Sequence, residues 1–299
     1  MDDLETYLGL RPSLFGVAYR MLGSATDAED VLQEAYLRWS SRGPGDVTAP
    51  SAYLTTIVTR LCIDHLRSAR VKRETYTGPW LPEPVEVDAP GPDAHAELAD
   101  SLSLAFLVLL EELQPVERAA FLLHDVFDYA YGEIAGIVDR TEANCRQLVS
   151  RARRHVDARQ QRFPADHRER RELTRRFLVA CGTGDLDGLL QILADDVTVW
   201  TDGGGKVRAA VRPVVGSHRA ARFLLAVATR IQPGVSSREV ELNTQPGLVF
   251  ETADGEVIVA LTVDILDGRI SAVRVVTNPD KLGALQPDRR SRLRGLLPH

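Results

Sequence analysis

The chain has 299 residues, of which 44% are hydrophobic and 26% charged, with a formal net charge of −6. That length predicts two or three domains, and the acidic balance, taken alone, disfavours nucleic acid as a partner. No apolar run reaches the roughly 20 residues that span a bilayer. The opening "MDDLETYLGL" lacks the positive start of a signal peptide, and Cys62, Cys145 and Cys181 are too scattered for a disulfide framework or a zinc site. These features predict a reduced, cytoplasmic protein with no membrane, metal or cofactor.

The segment up to Glu74 reads as helical. "DAEDVLQEAYLRW", Asp27 to Trp39, places Val31, Leu32, Ala35 and Trp39 on one face. Asp27, Glu29 and Asp30 sit in its early turns, where the helix dipole favours acids. The next helix, from Pro50, buries Leu54, Ile57, Val58, Leu61 and Leu66. Toward its end, from Arg60 to Arg73, five basic residues stand against one acid, Asp64. Thr75 to Glu97 carries five prolines and cannot be a continuous helix. It reads as a linker in which Trp80 and Leu81 are unexpectedly large and apolar.

From Ala96 to about Arg162 the helical pattern returns. "LAFLVLLEEL" is apolar enough to be buried, and Pro115 stands near a helix start. "YGEIAGIVDRTEANCRQLVSRARRHV" reads as a short helix, a tight turn and a second helix. Ile134, Ala135 and Val138 form the first buried face; Cys145, Val149, Ala152 and Val156 form the second. Opposite them stand Arg146, Gln147, Ser150, Arg151, Arg153 and Arg154, the pattern of a helix-turn-helix with outward donors. The Arg140–Arg162 stretch holds seven basic residues against two acids, so local surfaces suit phosphate despite the net charge.

After Pro164 the texture changes. Helices are expected at Glu169–Cys181, Leu186–Leu193 and Ser217–Arg230, with Ser217 as N-cap. "KVRAAVRPVV" alternates as a strand, and further strands are expected near 240–242, 248–252, 256–266 and 269–277. Asp254-Gly255 and Asp267-Gly268 are hairpin signals between the last three. Helices first and an antiparallel meander after them predict an α+β domain. "TDGGGKVRA" resembles a phosphate loop but lacks the Ser or Thr after Lys206 and the strand-to-helix setting. It is expected to be a hairpin turn, outside the core, that another segment can approach closely.

On these residues the first 162 positions resemble the extracytoplasmic-function sigma factors of bacterial RNA polymerase. "DAEDVLQEAYLRW" is similar to the sigma-two segment that grips the polymerase, and "YLTTIVTRLCIDHLRSARVKRE" to the part that reads and opens the −10 element. "YGEIAGIVDRTEANCRQLVSRARRHV" resembles the sigma-four helix-turn-helix that reads the −35 element. "WLPEP" (80–84), "DGGGK" (202–206) and "NPDKL" (278–282) resemble three signatures of the subgroup with a fused C-terminal SnoaL-like domain. The resemblance implies an all-α sigma-two domain (1–75), a Pro-rich linker (76–95), an all-α sigma-four domain (96–163) and an NTF2/SnoaL-like α+β cone (165–299).

It further implies a promoter-specificity subunit, without catalysis of its own, regulated in cis by its extension. The partners implied are core RNA polymerase, promoter DNA and the protein's own sigma body. DNA contacts are expected from Arg60, Arg67, Arg70, Lys72 and Arg73, and from Arg146, Gln147, Ser150, Arg151 and Arg154. Polymerase contacts are expected from Asp27, Glu29, Asp30 and Glu34. A regulatory contact is expected from Trp80, Leu81, Asp202, Gly203, Gly204, Gly205, Lys206, Asn278, Pro279, Asp280, Lys281 and Leu282. The alternative is a DNA-binding regulator whose SnoaL-like domain senses a small molecule or keeps an enzymatic activity, with His218 and Asp264 as the nameable acid–base pair.

Overall fold

The computed structural model describes residues 3–41, 47–73, 76–87, 101–158, 167–231, 233–287 and 289. The chain divides into two compact units. One comprises Met1–Thr75, Pro90–Gln160 and Ser291–His299, the other Tyr76–Ala89 and Gln161–Arg290.

The described part of the first unit is helical. α1 (Asp3–Leu22), α2 (Ala25–Ser40) and α3 (Pro50–Arg73) pack together. Ser24 caps α2 by accepting from the Asp27 N–H, which leaves Val31, Leu32, Ala35 and Trp39 buried, as their spacing predicts. The Tyr7 hydroxyl donates to the Leu32 carbonyl at 2.8 Å and the Trp39 indole to that of Asp3 at 3.0 Å, pinning α1 against α2.

α4 (Leu104–Leu110) and α5 (Pro115–Asp125) follow, α5 with Pro at its first turn as expected. α6 (Tyr131–Val138) and α7 (Glu142–Asp157) form the helix-turn-helix. Its turn is made by Asp139 in the left-handed region at φ 55°, and Thr141 caps α7. Ile134, Ile137 and Val138 face Cys145, Leu148, Val149, Ala152 and Val156 in the core.

Two arginines unremarked in the sequence tie these helices together. Arg20 is 1% exposed; it donates to the Ser101 hydroxyl at 2.9 Å and the Gly16 carbonyl at 3.2 Å, and its guanidinium lies over the Phe127 ring. Arg118 is 2% exposed and donates to the Met21 carbonyl at 2.6 Å and to Glu111 at 2.8 Å. Burial pushes Arg20 down to about 10 and Arg118 to about 9. Both therefore stay charged at neutral pH, and each needs its partners to offset desolvation.

The second unit is α+β. α8 (His167–Thr183), α9 (Leu186–Ile192) and α10 (Ser217–Ala228) accompany a six-stranded sheet in the order β2-β1-β6-β5-β4-β3. The strands are β1 (Leu193–Asp202), β2 (Val214–Val215), β3 (Ser236–Leu242), β4 (Gln245–Glu251), β5 (Val257–Leu266) and β6 (Arg269–Val276). β3 to β6 form the expected antiparallel meander, while β1 joins β6 in parallel. Leu173 and Phe177 of α8, Leu189 of α9 and Leu224 of α10 share one apolar cluster with Val199, Leu248, Leu261, Val263 and Val273 of the sheet. Alternation sends Trp200, Thr262, Asp264 and Arg274 to the opposite face.

Two sequence expectations are corrected, and one turn carried no signal in the sequence. Residues 203–213 form a loop and only Val214–Val215 a strand, so "KVRAAVRPVV" is not one; Val207 and Val211 are exposed. Local alternation could not reveal that β1 takes β6 as its main neighbour, and Pro213 cannot donate to a ladder. The N-cap of α10 is Gly216 at φ 94°, not Ser217. The β3–β4 hairpin, unmarked by any glycine, turns on Asn243 and Thr244, both at positive φ.

The Arg118–Glu111 contact yields a direct test. Arg118→Met removes the cation that the largely buried Glu111 carboxylate and the Met21 carbonyl face. Urea unfolding is expected to show a loss of about 3 kcal/mol; a loss below about 1 kcal/mol would refute this account of the interface.

Candidate functional site

α7 presents Arg146, Gln147, Ser150, Arg151, Arg153 and Arg154 to solvent, the face its sequence predicts. These residues are not equivalent. Arg153 is gripped by both oxygens of Asp125 at 2.7 Å, and that hydrogen bond raises its pKa further. Arg151 approaches Glu117 only to 3.9 Å. Arg154 donates to its own helix, at the Ser150 carbonyl. Arg146 pairs with Glu142 one turn earlier and lies over the Tyr131 ring, 5.2 Å from its centroid.

The end of α3 is partly seen. Arg67 is exposed and pairs with Asp64 at 3.2 Å. The side chains of Arg70, Lys72 and Arg73 lie outside the described residues. Arg60 departs from the expected outward role. Its Nε donates to the Ile137 carbonyl and its Nη2 to that of Gly136, both at 2.9 Å. These are carbonyls of the last turn of α6, which lack helical partners, so a guanidinium satisfies them and complements the helix dipole. Sequence reasoning missed this because the acceptors are backbone atoms about 76 residues away.

On α2 the four acids are differently engaged. Asp27 lies 3.5 Å from His65, Glu29 accepts a bidentate pair from Arg11, and Glu34 bonds Arg38 at 2.5 Å. Asp30 is exposed and has no ion pair with a described residue.

In the second unit a buried acid gathers the three signatures. Asp202 ends β1 and is 0% exposed. Its Oδ1 accepts from the Tyr76 hydroxyl at 2.5 Å and the Gly204 N–H at 3.0 Å. Its Oδ2 accepts from the Leu81 N–H at 2.8 Å and the Lys281 ammonium at 2.7 Å. Its carbonyl takes the N–H groups of Thr277 and Asn278. Lys281 also donates to the Leu81 carbonyl at 2.5 Å, and its ammonium lies 4.1 Å from the Trp80 ring centroid and 4.8 Å from that of Tyr76. The amide of Asn278 donates to the Tyr76 oxygen at 3.0 Å. Burial, then the bond to Asp202, pushes the Tyr76 phenol well above its usual value.

The glycines of "DGGGK" serve this packing. Gly204 and Gly205 have φ 59° and 73°. A Cβ on Gly204 would collide with the Asn278 side chain, and one on Gly203 with the Val207 carbonyl; one on Gly205 would press Thr77 Oγ1 at 3.2 Å. The loop is therefore a close-packed seat for residues 76–81, and the expectation of a turn outside the core is corrected for Asp202. Lys206 stands outside the seat, exposed and paired with Asp280 at 2.6 Å. Pro279 opens a short 3₁₀ turn capped by Asn278, and Leu282 is buried.

The segment continues as an added edge. Val87 donates to the Glu241 carbonyl, Asn243 to that of Val85, and the Asn243 side chain takes the Val85 N–H. Glu86 bonds Arg238, which also holds Glu251. Tyr76 and Arg238 were not singled out from the sequence. The alternation of polar and apolar residues in "PEPVEV" was the available signal.

Asp264 pairs with Arg274 on the neighbouring strand, while His218 is exposed in the first turn of α10. No bond joins the nominated acid–base pair. Among the described residues no group of His, Cys, Asp and Glu suits a metal ion, and no helix is long and apolar enough to cross a membrane.

A helix-turn-helix with an arginine-rich outer face, packed with three preceding helices in one unit, is the arrangement of a helical DNA-binding protein. The family description "Sigma-70 region 2" matches residues 6–71 and "Sigma-70, region 4" matches residues 103–156. The chain is 40% identical to the ECF RNA polymerase sigma factor SigJ of Mycobacterium tuberculosis, over 98% of this chain and 97% of that protein. It is 32% identical to a probable ECF sigma factor, SigI, of the same species, over 93% and 94%. The crystal structure of M. tuberculosis SigJ superposes with a TM-score of 0.75 at 37% identity, covering 95% of this chain and 99% of that one. The chain belongs to the ECF RNA polymerase sigma factors, and carries the sigma helices followed by an α+β domain.

The glycine seat is open to test. Gly204→Ala combines a positive φ with a collision at Asn278 and is expected to cost the second unit about 2 kcal/mol. Gly205→Ala meets only the edge of Thr77 and is expected to cost less. Thermal unfolding of the two variants gives the order, and equal losses would contradict it.

Proposed function

We propose that this sigma factor binds core polymerase through the outer face of α2, reads the −10 element with the end of α3 and the −35 element with α7, and is regulated in cis by its C-terminal domain. The division of labour follows the matched sigma segments and the side chains they leave outward. Gln147 and Ser150 suit base edges. Arg154, free of any carboxylate among the described residues, suits phosphates. Among the acids of α2, Asp30 is the best placed for a basic polymerase surface, its neighbours being held by Arg11, Arg38 and His65.

The observation that carries the regulatory reading is the Asp202–Lys281 seat. The segment joining the two sigma domains is part of the C-terminal fold between Tyr76 and Val87. Any ligand, partner or strain that changes the C-terminal domain therefore acts on the tether that sets how far apart the two DNA-binding domains reach. In this reading the domain grips the segment between the sigma domains and carries out no reaction: Asp264 is held by Arg274 and His218 faces solvent. The protein works in the cytoplasm, with the polymerase.

Two experiments test the reading. Asp30→Arg is expected to weaken binding to core polymerase severalfold while leaving the circular dichroism spectrum and melting point unchanged; equal affinity would remove α2 from the interface. Trp80→Ala removes the aromatic face over Lys281 while sparing the buried carboxylate. In run-off transcription at equal holoenzyme concentration it is expected to change transcript yield at least about fivefold, with core affinity unaltered. Unchanged yield together with faster proteolysis at residues 76–87 would show that the grip has no regulatory effect.

A further inference from the structure

Within α7 the outward arginines differ in what holds them, and one arrangement is built for reading. A bidentate arginine–guanine contact needs two in-plane N–H donors aimed at one base edge. An arginine already spent on a carboxylate fork cannot supply them, and a loose one must lose rotamer freedom on binding. Arg153 is the first kind, since Asp125 takes its Nε and Nη2. Arg154 is the second kind.

Arg146 is neither. Its Nη2 bonds Glu142, and its guanidinium lies over the Tyr131 ring at 5.2 Å. An aromatic ring attracts the flat face of the cation and consumes none of its edge donors. The position of the Arg146 guanidinium is thus set, and with Nη2 bonded to one Glu142 oxygen, its second N–H and an adjacent N–H, on Nε or Nη1, remain as a two-donor edge. Tyr131 is itself braced: the His124 ring meets it edge-on, with centroids 4.2 Å apart. The brace comes from α5, whose last residue, Asp125, fixes Arg153. Glu142 lies in the first turn of α7, the part of a recognition helix nearest the base edges. A carboxylate there repels phosphate and discourages Arg146 from swinging to the backbone.

We propose that Tyr131 and Glu142 are positioning residues that pre-orient Arg146 as a guanine reader, so that specificity at one −35 position depends on two side chains that need not touch that base. This rests on α7 being the −35 reader. Pre-orientation is worth the rotamer cost it removes, roughly three- to tenfold in discrimination.

The test uses full-length protein assembled with core polymerase. A duplex library randomised across the −35 region is selected for binding, and the base preference at each position is read by sequencing. Arg146→Ala is expected to flatten preference at one position. Tyr131→Leu and Glu142→Gln are expected to reduce preference at that same position roughly three- to tenfold, with preference at the other positions unchanged. Tyr131→Phe keeps the ring and is expected to behave as wild type. Thermal melts accompany each variant; should Tyr131→Leu prove unstable, Glu142→Gln, an exposed isosteric change, decides. If Arg146→Ala flattens a position that both other variants leave intact, the positioning role is wrong while α7 remains the reader. If the variants weaken all positions alike, their role is structural and the proposal fails. If Arg146→Ala alters no position, the assignment of Arg146 as a base reader fails before the question of positioning arises.

Discussion

The second unit is organised around one carboxylate removed from water. A buried charge is costly unless its lone pairs are used and an opposite charge is near. Asp202 meets both conditions through donors from four places in the chain: Tyr76 and Leu81, Gly204, Lys281, and the N–H groups of Thr277 and Asn278 on its carbonyl. Each donor constrains its neighbourhood. Gly204 must be glycine because Asn278 occupies its side-chain space, and Trp80 lies against Lys281 because the ammonium is fixed by Asp202. A strand end, a loop, a 3₁₀ turn and an apparent linker become one structure.

The first unit shows the same economy with the signs reversed. Arg20 and Arg118 are buried cations, and the acceptors of each include one backbone carbonyl of α1 and one side-chain oxygen, of Ser101 or Glu111. Arg60 donates to carbonyls at the exposed end of α6. Guanidinium suits this use because its several donors are rigidly spread and its charge does not leave at neutral pH. A polar group in such an interface makes the pairing of helices specific, since any other arrangement strands a charge. Sigma-two and sigma-four helices therefore meet through directional bonds as well as apolar surface.

Function follows from what is left over. On α7 the carboxylates of Asp125, Glu117 and Glu142 sort an otherwise uniform row of arginines into held, loosely attracted and braced ones. On α2, Arg11, Arg38 and His65 occupy three of four acids. Charge counts along a helix predict that such a surface meets DNA or a basic partner; intramolecular pairing decides which residues are free to do so. The free thiols Cys62 and Cys145 are buried, and burial raises all three thiol pKa values, which makes them poor nucleophiles.

The sequence by itself determined the helical periods, the helix-turn-helix and the meander with its Asp-Gly turns, because these are set by residues within a turn or a hairpin of one another. It also showed that "DGGGK" lacks the pattern of a phosphate loop, and marked Trp80 and Leu81 as unexpected in a solvated linker. Only the tertiary structure decided that Asp202 is core, that residues 76–87 belong to the second unit, and that 207–211 is no strand. It alone decided that Arg20, Arg60 and Arg118 hold helices. The reason is common to all of these. A buried charge and a sheet edge are defined by partners distant in the chain, often backbone atoms, and a backbone carbonyl has no letter in the sequence.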